Sequence, residues 1–441
     1  MAEPLTFNQV LGILNATFRQ LPDYRTGLNR QYTVREAALS AYSVFFTQSP
    51  SFLAYQRTMR EKQGHSNAGS LFAVRDIPSD AQIRNLLDPL APGELRAPFW
   101  DLLGRLAHGG VLAAQGFSVG GLGEPRWLCA LDGTQYFHST EIHCPNCTVA
   151  LRDGVAHYAH TVLLPALVRP GRAEVLVLEP EFILPQDGAE KQDCERNAAR
   201  RWIERNAPAL AGQHTTILAD DLHCNQPFCE LLREQQLDFI LVCKPDSHPT
   251  VYAEVERLAQ VPEGVGQVED RVWTGKVHEH WTYRYAQHVP LTAQPHALLV
   301  NWCELTITCE ETGRGLFHNA WVTNLSLTQR TVRPVAAAGR ARWKIENENN
   351  NVLKNQGYHL EHNFGHGKQS LSTVLVTLML LAFLTHTILQ LCDSAYQQVR
   401  LRLATRKTFF DDLRALTRYL FFATWDDLLA FMLTQLEPAP D

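Results

Sequence analysis

Three features that would assign this sequence to a special class of protein are absent from it. The net charge at pH 7 is −6 rather than positive, which argues mildly against a surface covered with nucleic acid, because phosphate binding depends on positive charge. The N-terminal stretch MAEPLTFNQV has neither the basic nor the apolar region of a secretory signal peptide. Ten cysteines in 441 residues are no disulfide framework. There is no internal repeat or low-complexity tract either, so we expect a globular, cytoplasmic protein with reduced thiols.

Positive charge is nevertheless concentrated locally. Arginines and lysines cluster within residues 196–205, 330–344 and 400–407. Such patches can bind DNA while acidic regions elsewhere lower the total charge. Each patch taken alone is explained equally well as a solvated helix face.

One segment has the length and composition of a membrane span. Residues 371–391 read LSTVLVTLMLLAFLTHTILQL, and about 20 apolar residues suffice to cross a bilayer. Threonines, a histidine and a glutamine interrupt the run. The sequence has no second apolar segment of this length. A helix that is apolar nearly all round also suits the centre of a large soluble core. We expect a buried core helix and no membrane partner.

The apolar patterns divide the chain into helical and strand-rich parts. The glycine-rich run 116–123 marks a first boundary, and it lacks the Gly-Lys-Ser/Thr ending of a phosphate-binding loop. Beyond it, elements follow in the order β-β-β-α-β-α-β, which predicts an α/β protein with a mixed sheet. The predicted parts are a helical N-terminal domain (1–120), the first part of the α/β core (121–248), a β-rich insertion (249–331), the rest of the core with the Arg342 helix and the apolar helix (332–392), and a C-terminal helical region (393–441).

Two carboxylates are predicted at the ends of buried strands. The apolar run 127–131 ends in Asp132-Gly133, which predicts a short strand followed by a turn. The run 215–219 ends in Asp220 and Asp221. Because strand ends gather ligands at one edge of an open sheet, we expect an acid from each run to lie at that edge.

A third carboxylate, Glu346, lies in a segment from Arg342 to Lys354 that contains no helix breaker. On a helix Arg342 and Glu346 share a face, and the arginine favours the ionised carboxylate. Alone, the two residues could form an ordinary surface ion pair. Together with two strand-end acids, Glu346 completes a set of carboxylates whose repulsion hard divalent cations relieve. Two such ions can activate the attacking oxygen and stabilise the leaving oxygen of a phosphodiester.

At these residues the chain resembles the DDE transposases of bacterial insertion sequences, most of all the broad IS4 group, whose catalytic core is RNase H-like. The resemblance covers roughly residues 125–390 and includes a β-rich insertion before the glutamate. Its motifs are Leu131-Asp132-Gly133, the stretch from Leu218 to Asn225, and Arg342-Trp343-Lys344-Ile345-Glu346 with Lys354.

The family's glutamate motif is only partly matched. It reads tyrosine, two residues, arginine, three residues, glutamate, six residues, lysine. The spacing from Arg342 to Glu346 agrees with it. The tyrosine position is Gly339, and the lysine position is Leu353, one residue before Lys354.

The resemblance implies metal-dependent 3′-end cleavage and strand transfer of an insertion sequence. Asp132, Asp220 and Glu346 would be the catalytic triad and would bind two Mg²⁺ or Mn²⁺ ions. Asp220 fits the family's strand-end position, with Asp221 as the alternative. Glu348 is the fallback for Glu346. Water would free a 3′-hydroxyl at the element's end, which would then attack target DNA.

The resemblance also implies partners. Double-stranded DNA, both element ends and target, would be bound by Arg342, Lys344 and Lys354. The helical N-terminal domain loosely fits a DNA-binding region of the family. Trp343 would pack in the core. The active form would be a homodimer or a larger assembly on DNA. The same carboxylates fit a metal-dependent nuclease, or a decayed relative that binds DNA without transferring strands.

A second group of residues suggests a structural zinc site. Cys144 and Cys147 are followed by His157 and His160, and two cysteines with two histidines can hold zinc tetrahedrally. The two histidines lie three apart on a predicted strand, where they point to opposite faces, so one of them binds or neither does. Free thiols are the alternative. The acidic stretch 191–195 is explained as a solvated helix N-terminus.

Overall fold

The computed structural model describes residues 5–27, 30–60, 64–185, 192–403 and 405–436. In this part of the chain, eleven strands form one sheet. They are β1 (Leu128–Ser139), β2 (Thr148–Arg152), β3 (Val155–Val168), β4 (Leu176–Val177), β5 (Glu181–Ile183), β6 (Thr216–Ala219), β7 (Asp238–Val242), β8 (Gly266–Trp273), β9 (His278–Pro290), β10 (Leu299–Cys309) and β11 (Gly315–Thr323).

Helices precede, cover and follow this sheet. They are α1 (Phe7–Phe18), α2 (Val34–Phe46), α3 (Phe52–Met59), α4 (Asn67–Phe72), α5 (Asp80–Leu87), α6 (Ala97–His108), α7 (Val111–Ala114), α8 (Glu195–Ala211), α9 (Gln226–Glu234), α10 (Pro249–Ala259), α11 (Val332–Ala341), α12 (Asn351–Asn355), α13 (Leu371–Cys392), α14 (Ser394–Arg402), α15 (Arg406–Tyr419) and α16 (Trp425–Gln435), with a 3₁₀ turn at Pro92–Leu95 and a π-helical segment at Ile345–Asn350.

The centre of the sheet is parallel. β1 pairs with β6, and β6 pairs with β7, both in parallel. β3 lies antiparallel on the other side of β1 and carries β2, β4 and β5. Parallel strands are covered on both faces and therefore read as continuous apolar runs, which is how their positions were predicted. The predicted α/β class with a mixed sheet is confirmed.

The β-rich insertion extends the same sheet. Its strands β8 to β11 are antiparallel neighbours. β11 pairs antiparallel with β7, with Trp321 opposite Val242. The insertion begins with helix α10, which the alternating pattern of the segment did not predict.

The N-terminal segment is helical, as predicted, and its helices begin at local signals. At the start of α2 the Thr33 side chain accepts from the Glu36 N–H at 3.1 Å, and the Glu36 side chain accepts from the Thr33 N–H at 2.9 Å. This reciprocal cap satisfies two N–H groups that the helix leaves without partners. α2 packs against α13, where the Tyr42 hydroxyl donates to Thr385 Oγ1 at 3.0 Å. The apolar residues of the N-terminal helices therefore join the core of the rest of the chain.

The apolar helix α13 lies inside this core, as predicted. Within the described residues it is the one helix long and apolar enough to cross a membrane, and 94% of that apolar window is buried. Its threonines are satisfied inside the helix, since the hydroxyls of Thr377 and Thr385 donate to the carbonyls of Thr373 and Leu381 at 2.8 Å. Such bonds let polar side chains occupy a buried helix.

The prediction of a turn at Asp132-Gly133 was wrong. β1 continues through both residues to Ser139, with Asp132 opposite Leu164 and Gly133 opposite Leu163 on β3. A glycine in a strand often marks a close approach by another group. Here a Cβ on Gly133 would lie 2.1 Å from Glu195 Oε2.

Candidate acidic active site

Asp132 and Asp220 lie at the same level of the sheet. The last paired residues of β1 and β6 are Ala130 and Leu218, and each aspartate follows two residues later. β6 ends at Ala219, whereas β1 continues, so beyond this point β1 has no neighbour on the side of β6. The carboxyl end of the parallel strands therefore opens next to Asp132.

Glu346 reaches the same place from a widened helix. The predicted helix 342–354 is helical in part, but residues 345–350 form a π-helical turn in which the Asn351 N–H bonds to the Glu346 carbonyl. Arg342 Nη2 donates to Glu346 Oε1 at 2.7 Å, and Arg342 Nη1 lies 3.8 Å from Asp132 Oδ1. Asn350 Nδ2 donates to Asp132 Oδ2 at 2.7 Å. Arg342 thus contacts both acids and Asn350 contacts Asp132. π-helical turns of this kind are frequent at functional sites.

The pKa of Asp132 records how these charges converge. Burial is the largest cause that raises it, followed by the negative charge of Glu346. Arg342 opposes them, and Glu195 and Asp220 raise the pKa further. The result is a pKa of about 7, against an ordinary value of 3.8. Like charges that share a site disfavour each other's ionised form, so a cation bound here would relieve real repulsion.

Glu195 is the acid that the sequence interpretation missed. It is the first residue of α8, it packs over Gly133, and its Oε1 lies 3.2 Å from His223 Nε2. The explanation as a solvated helix end also fails for Asp193, which is buried and accepts two hydrogen bonds from Arg201. Lys191 of the same stretch lies outside the described residues. The glycine directly after Asp132 was the one signal in the sequence that another side chain comes close there.

The two alternative ligands have different surroundings. Asp221 accepts from the Lys244 N–H at 2.8 Å and from the Ser247 hydroxyl at 2.5 Å, so it stabilises the turn after β7. Glu348 lines a cavity with Arg400 and Arg406. Neither acid is among the charges that raise the pKa of Asp132, which favours Asp220 and Glu346 as ligands.

The residues proposed to contact DNA are placed differently from one another. Arg342 is mostly buried between the two acids, and its Nη1 has no hydrogen-bond partner. Lys344 is half-buried. Lys354 Nζ forms an ion pair with Glu361 at 2.9 Å. The prediction that Trp343 packs in the core was wrong, because its side chain is 55% exposed. Helical residues two apart face different directions, and Ile345 takes the core position.

Packing explains both departures from the family's motif. A Cβ on Gly339 would lie 2.6 Å from the Trp321 ring, so no tyrosine fits there. Leu353 is fully buried, so the lysine position of the motif belongs to the core of this protein.

Two of the three basic clusters contain arginines that are already paired. On α8, Arg201 binds Asp193 and Glu181, and Arg205 binds Glu179 and Glu181. In the cluster 330–344, Arg333 donates to Asp270 through Nε and Nη2, each at 2.7 Å. These arginines stabilise the fold, so counting charges along the sequence overstates the positive surface.

The predicted zinc ligands separate into two groups. Cys144, Cys147 and His160 come together, and the fourth member of this cluster is His366. His157 instead faces His138, with its Nδ1 atom 2.9 Å from Nε2 of His138. The two histidines of β3 point to opposite faces, as the strand period requires. His366 was missed because 206 residues separate it from His160.

No protein-family model matches the chain, and no curated protein matches it.

Proposed function

We propose that this protein is a DDE transposase that cuts and joins DNA with Asp132, Asp220 and Glu346. The observation that carries the proposal is that Arg342 bridges two of these acids, with Nη2 2.7 Å from Glu346 Oε1 and Nη1 3.8 Å from Asp132 Oδ1. Burial and the negative charges of Glu346, Glu195 and Asp220 raise the pKa of Asp132 to about 7, in agreement with this convergence. The sheet supports the same proposal. β3, β1, β6 and β7 combine antiparallel and parallel neighbours, with one acid on β1 and one after β6, which fits an RNase H-like core.

The donor set fits Mg²⁺ or Mn²⁺. Asp132, Asp220 and Glu346 offer only oxygen atoms, the ligands that these hard cations prefer, and we propose that the three acids hold two such ions. Bound there, the ions would offset the negative charge of the acids, activate the attacking oxygen and stabilise the leaving oxygen of a phosphodiester. Glu195 adds negative charge at the edge of the site.

The surrounding side chains hold the acids in place. Asn350 donates to Asp132 and fixes the direction of its carboxylate. Arg342 donates to Glu346 and keeps a second N–H group without a partner beside Asp132. An arginine so placed can bind a phosphate oxygen of DNA. The reaction would be hydrolysis at the 3′ end of the element, followed by attack of the freed 3′-hydroxyl on a target phosphodiester.

Double-stranded DNA is the proposed partner, bound by a homodimer or larger assembly. Trp343 is exposed and Lys344 is half-buried just before Glu346, and DNA entering the site would meet them. Lys354 would have to leave Glu361 to reach DNA, so we assign it a smaller part in binding than Arg342.

The test is cleavage of DNA that carries the flanking ends of the element, in Mg²⁺ or Mn²⁺. Glu346→Gln is compared with Glu348→Gln, which makes the same change two residues further along. We expect strand cuts at the element boundary for the unchanged protein and for Glu348→Gln, and none for Glu346→Gln. Joined products with a target duplex would show strand transfer.

Other outcomes would change the assignment. Equal cutting by the unchanged protein and Glu346→Gln would move the third ligand elsewhere. Cutting without joined products would favour a metal-dependent nuclease. Tight binding of the ends without any cutting would favour a decayed relative that only binds DNA.

A further inference from the structure

Four potential metal ligands from distant parts of the chain meet beside β3. Cys144 and Cys147 lie in the turn between β1 and β2, where the Cys147 N–H bonds to the Cys144 carbonyl at 3.1 Å and the Cys144 N–H donates to Cys147 Sγ at 3.4 Å. His160 is on β3, and His366 is in the loop between α12 and α13. One ligand atom of each lies within 4.8 Å of all the others.

The distances between these atoms match a tetrahedral zinc site. Zn–S bonds of about 2.3 Å and Zn–N bonds of about 2.0–2.1 Å, at tetrahedral angles, separate two sulfurs by about 3.8 Å, sulfur and nitrogen by about 3.6 Å, and two nitrogens by about 3.3 Å. The two cysteine sulfurs are 3.8 Å apart. His160 Nε2 lies 3.3 and 3.4 Å from the two sulfurs, and 3.3 Å from His366 Nδ1.

We propose that Cys144, Cys147, His160 and His366 bind one zinc ion. Two thiolates and two imidazoles are a ligand set that zinc takes in structural sites, and with four protein ligands no coordination position is left for water or substrate. The role is therefore structural. A second cluster among the described residues, formed by Cys224, Cys243 and His248, offers three ligands, and its histidine already lies against Asp221.

The surroundings hold both histidine rings. Tyr136 stacks on His160 with ring centres 5.4 Å apart, and Phe137 contacts the His366 ring edge to face at 4.1 Å. Cys147 and His160 are buried, and Cys144 and His366 are half-buried. Aromatic packing of this kind orients imidazole ligands before the ion binds, as groups around a metal site commonly do.

The zinc would fasten the segment that follows Glu346. His366 lies between α12 and α13, and the next residues are already anchored, because the Asp88 carboxylate accepts the N–H groups of Lys368, Gln369 and Leu371 at 2.8–3.0 Å. The ion would join this loop to β3 and to the β1–β2 turn. It would thereby limit movement between the strand that carries Asp132 and the chain after Glu346. This inference does not depend on the proposed function.

Metal content of the full chain tests the proposal. The protein is purified without chelator, supplied with ZnCl₂, desalted and measured by elemental mass spectrometry. We expect one zinc per chain for the unchanged protein and for the matched control His157→Ala. His366→Ala should weaken zinc binding at least about 100-fold in chelator competition, since loss of a mere supporting contact costs about 10- to 100-fold. A zinc-free unchanged protein, or zinc lost from His157→Ala and kept by His366→Ala, would overturn the assignment.

A cobalt spectrum tests the site without any variant, so it remains informative even if His366→Ala folds poorly. The unchanged protein is loaded with Co²⁺ in place of zinc, and its absorption spectrum is recorded. Two thiolates in a tetrahedral site predict strong sulfur-to-cobalt charge-transfer bands and intense visible bands. Weak bands of octahedral cobalt without sulfur bands would refute the site. Because neither measurement uses DNA, failure of the transposase proposal would not affect them.

Discussion

Replacing Asp132 with asparagine should stabilise the metal-free protein at alkaline pH. In the folded chain the pKa of Asp132 is about 7, whereas the ordinary pKa of an aspartate in water is 3.8. Between these values the folded state holds a proton that the unfolded state has lost. The stability of the unchanged protein therefore falls as pH rises from about 4 to about 7, and stays reduced above that. Asparagine cannot titrate, and its amide oxygen can accept the hydrogen bond that Asn350 donates to Asp132.

The expected size follows from the pKa difference. About three pKa units at about 1.4 kcal/mol each give about 4 kcal/mol at pH 8, and little solvent screening is expected because the Asp132 side chain is 18% exposed. An unfolding entropy of about 2.1 cal/mol/K per residue makes 1 kcal/mol worth about 1 °C in a chain of this length. Asp132→Asn should therefore raise the apparent Tm by about 4 °C.

The assay is thermal unfolding from pH 5 to pH 8 with EDTA, repeated with Mg²⁺. Asp76→Asn is the control, since it removes the same charge from a residue exposed at the surface. The advantage of Asp132→Asn should grow with pH, and Mg²⁺ should stabilise the unchanged protein at pH 8 more than the variant. A variant no more stable than the unchanged protein at pH 8 in EDTA would refute the argument from charge convergence.

Two further changes separate the site from the core. Glu195→Gln removes one of the charges that raise the pKa of Asp132. The loss of stability with rising pH should therefore end at a lower pH, as measured by the same thermal unfolding experiments. An unchanged pH profile would exclude Glu195 from the site. Leu380→Ala removes a fully buried side chain from α13 and should cost about 2–5 kcal/mol, seen as a Tm lower by about 2–5 °C in the same melts. A smaller loss would show that α13 contributes less to the core than its burial indicates.

The sequence alone determined the features that depend only on residues close together along the chain. Capping residues such as Thr33 and Glu36 specify where a helix begins, whatever packs against it. Continuous apolar runs predicted the first part of β1 and β6, because a strand covered on both faces needs apolar side chains at every position. The run of 371–391 likewise predicted a core helix, since its apolar residues face all directions.

Only the tertiary structure decided which distant residues meet. It placed Glu195 over Gly133 and His366 beside Cys144, and it left Trp343 exposed. The first two contacts join residues that are tens to hundreds of positions apart in the sequence, so no local sequence pattern predicts them. Their positions follow from the pairing of β1 with β6, from the widened turn at Glu346 and from the loop before α13. Sequence patterns could propose the chemistry of each side chain, but the packing of the whole chain selected the partners.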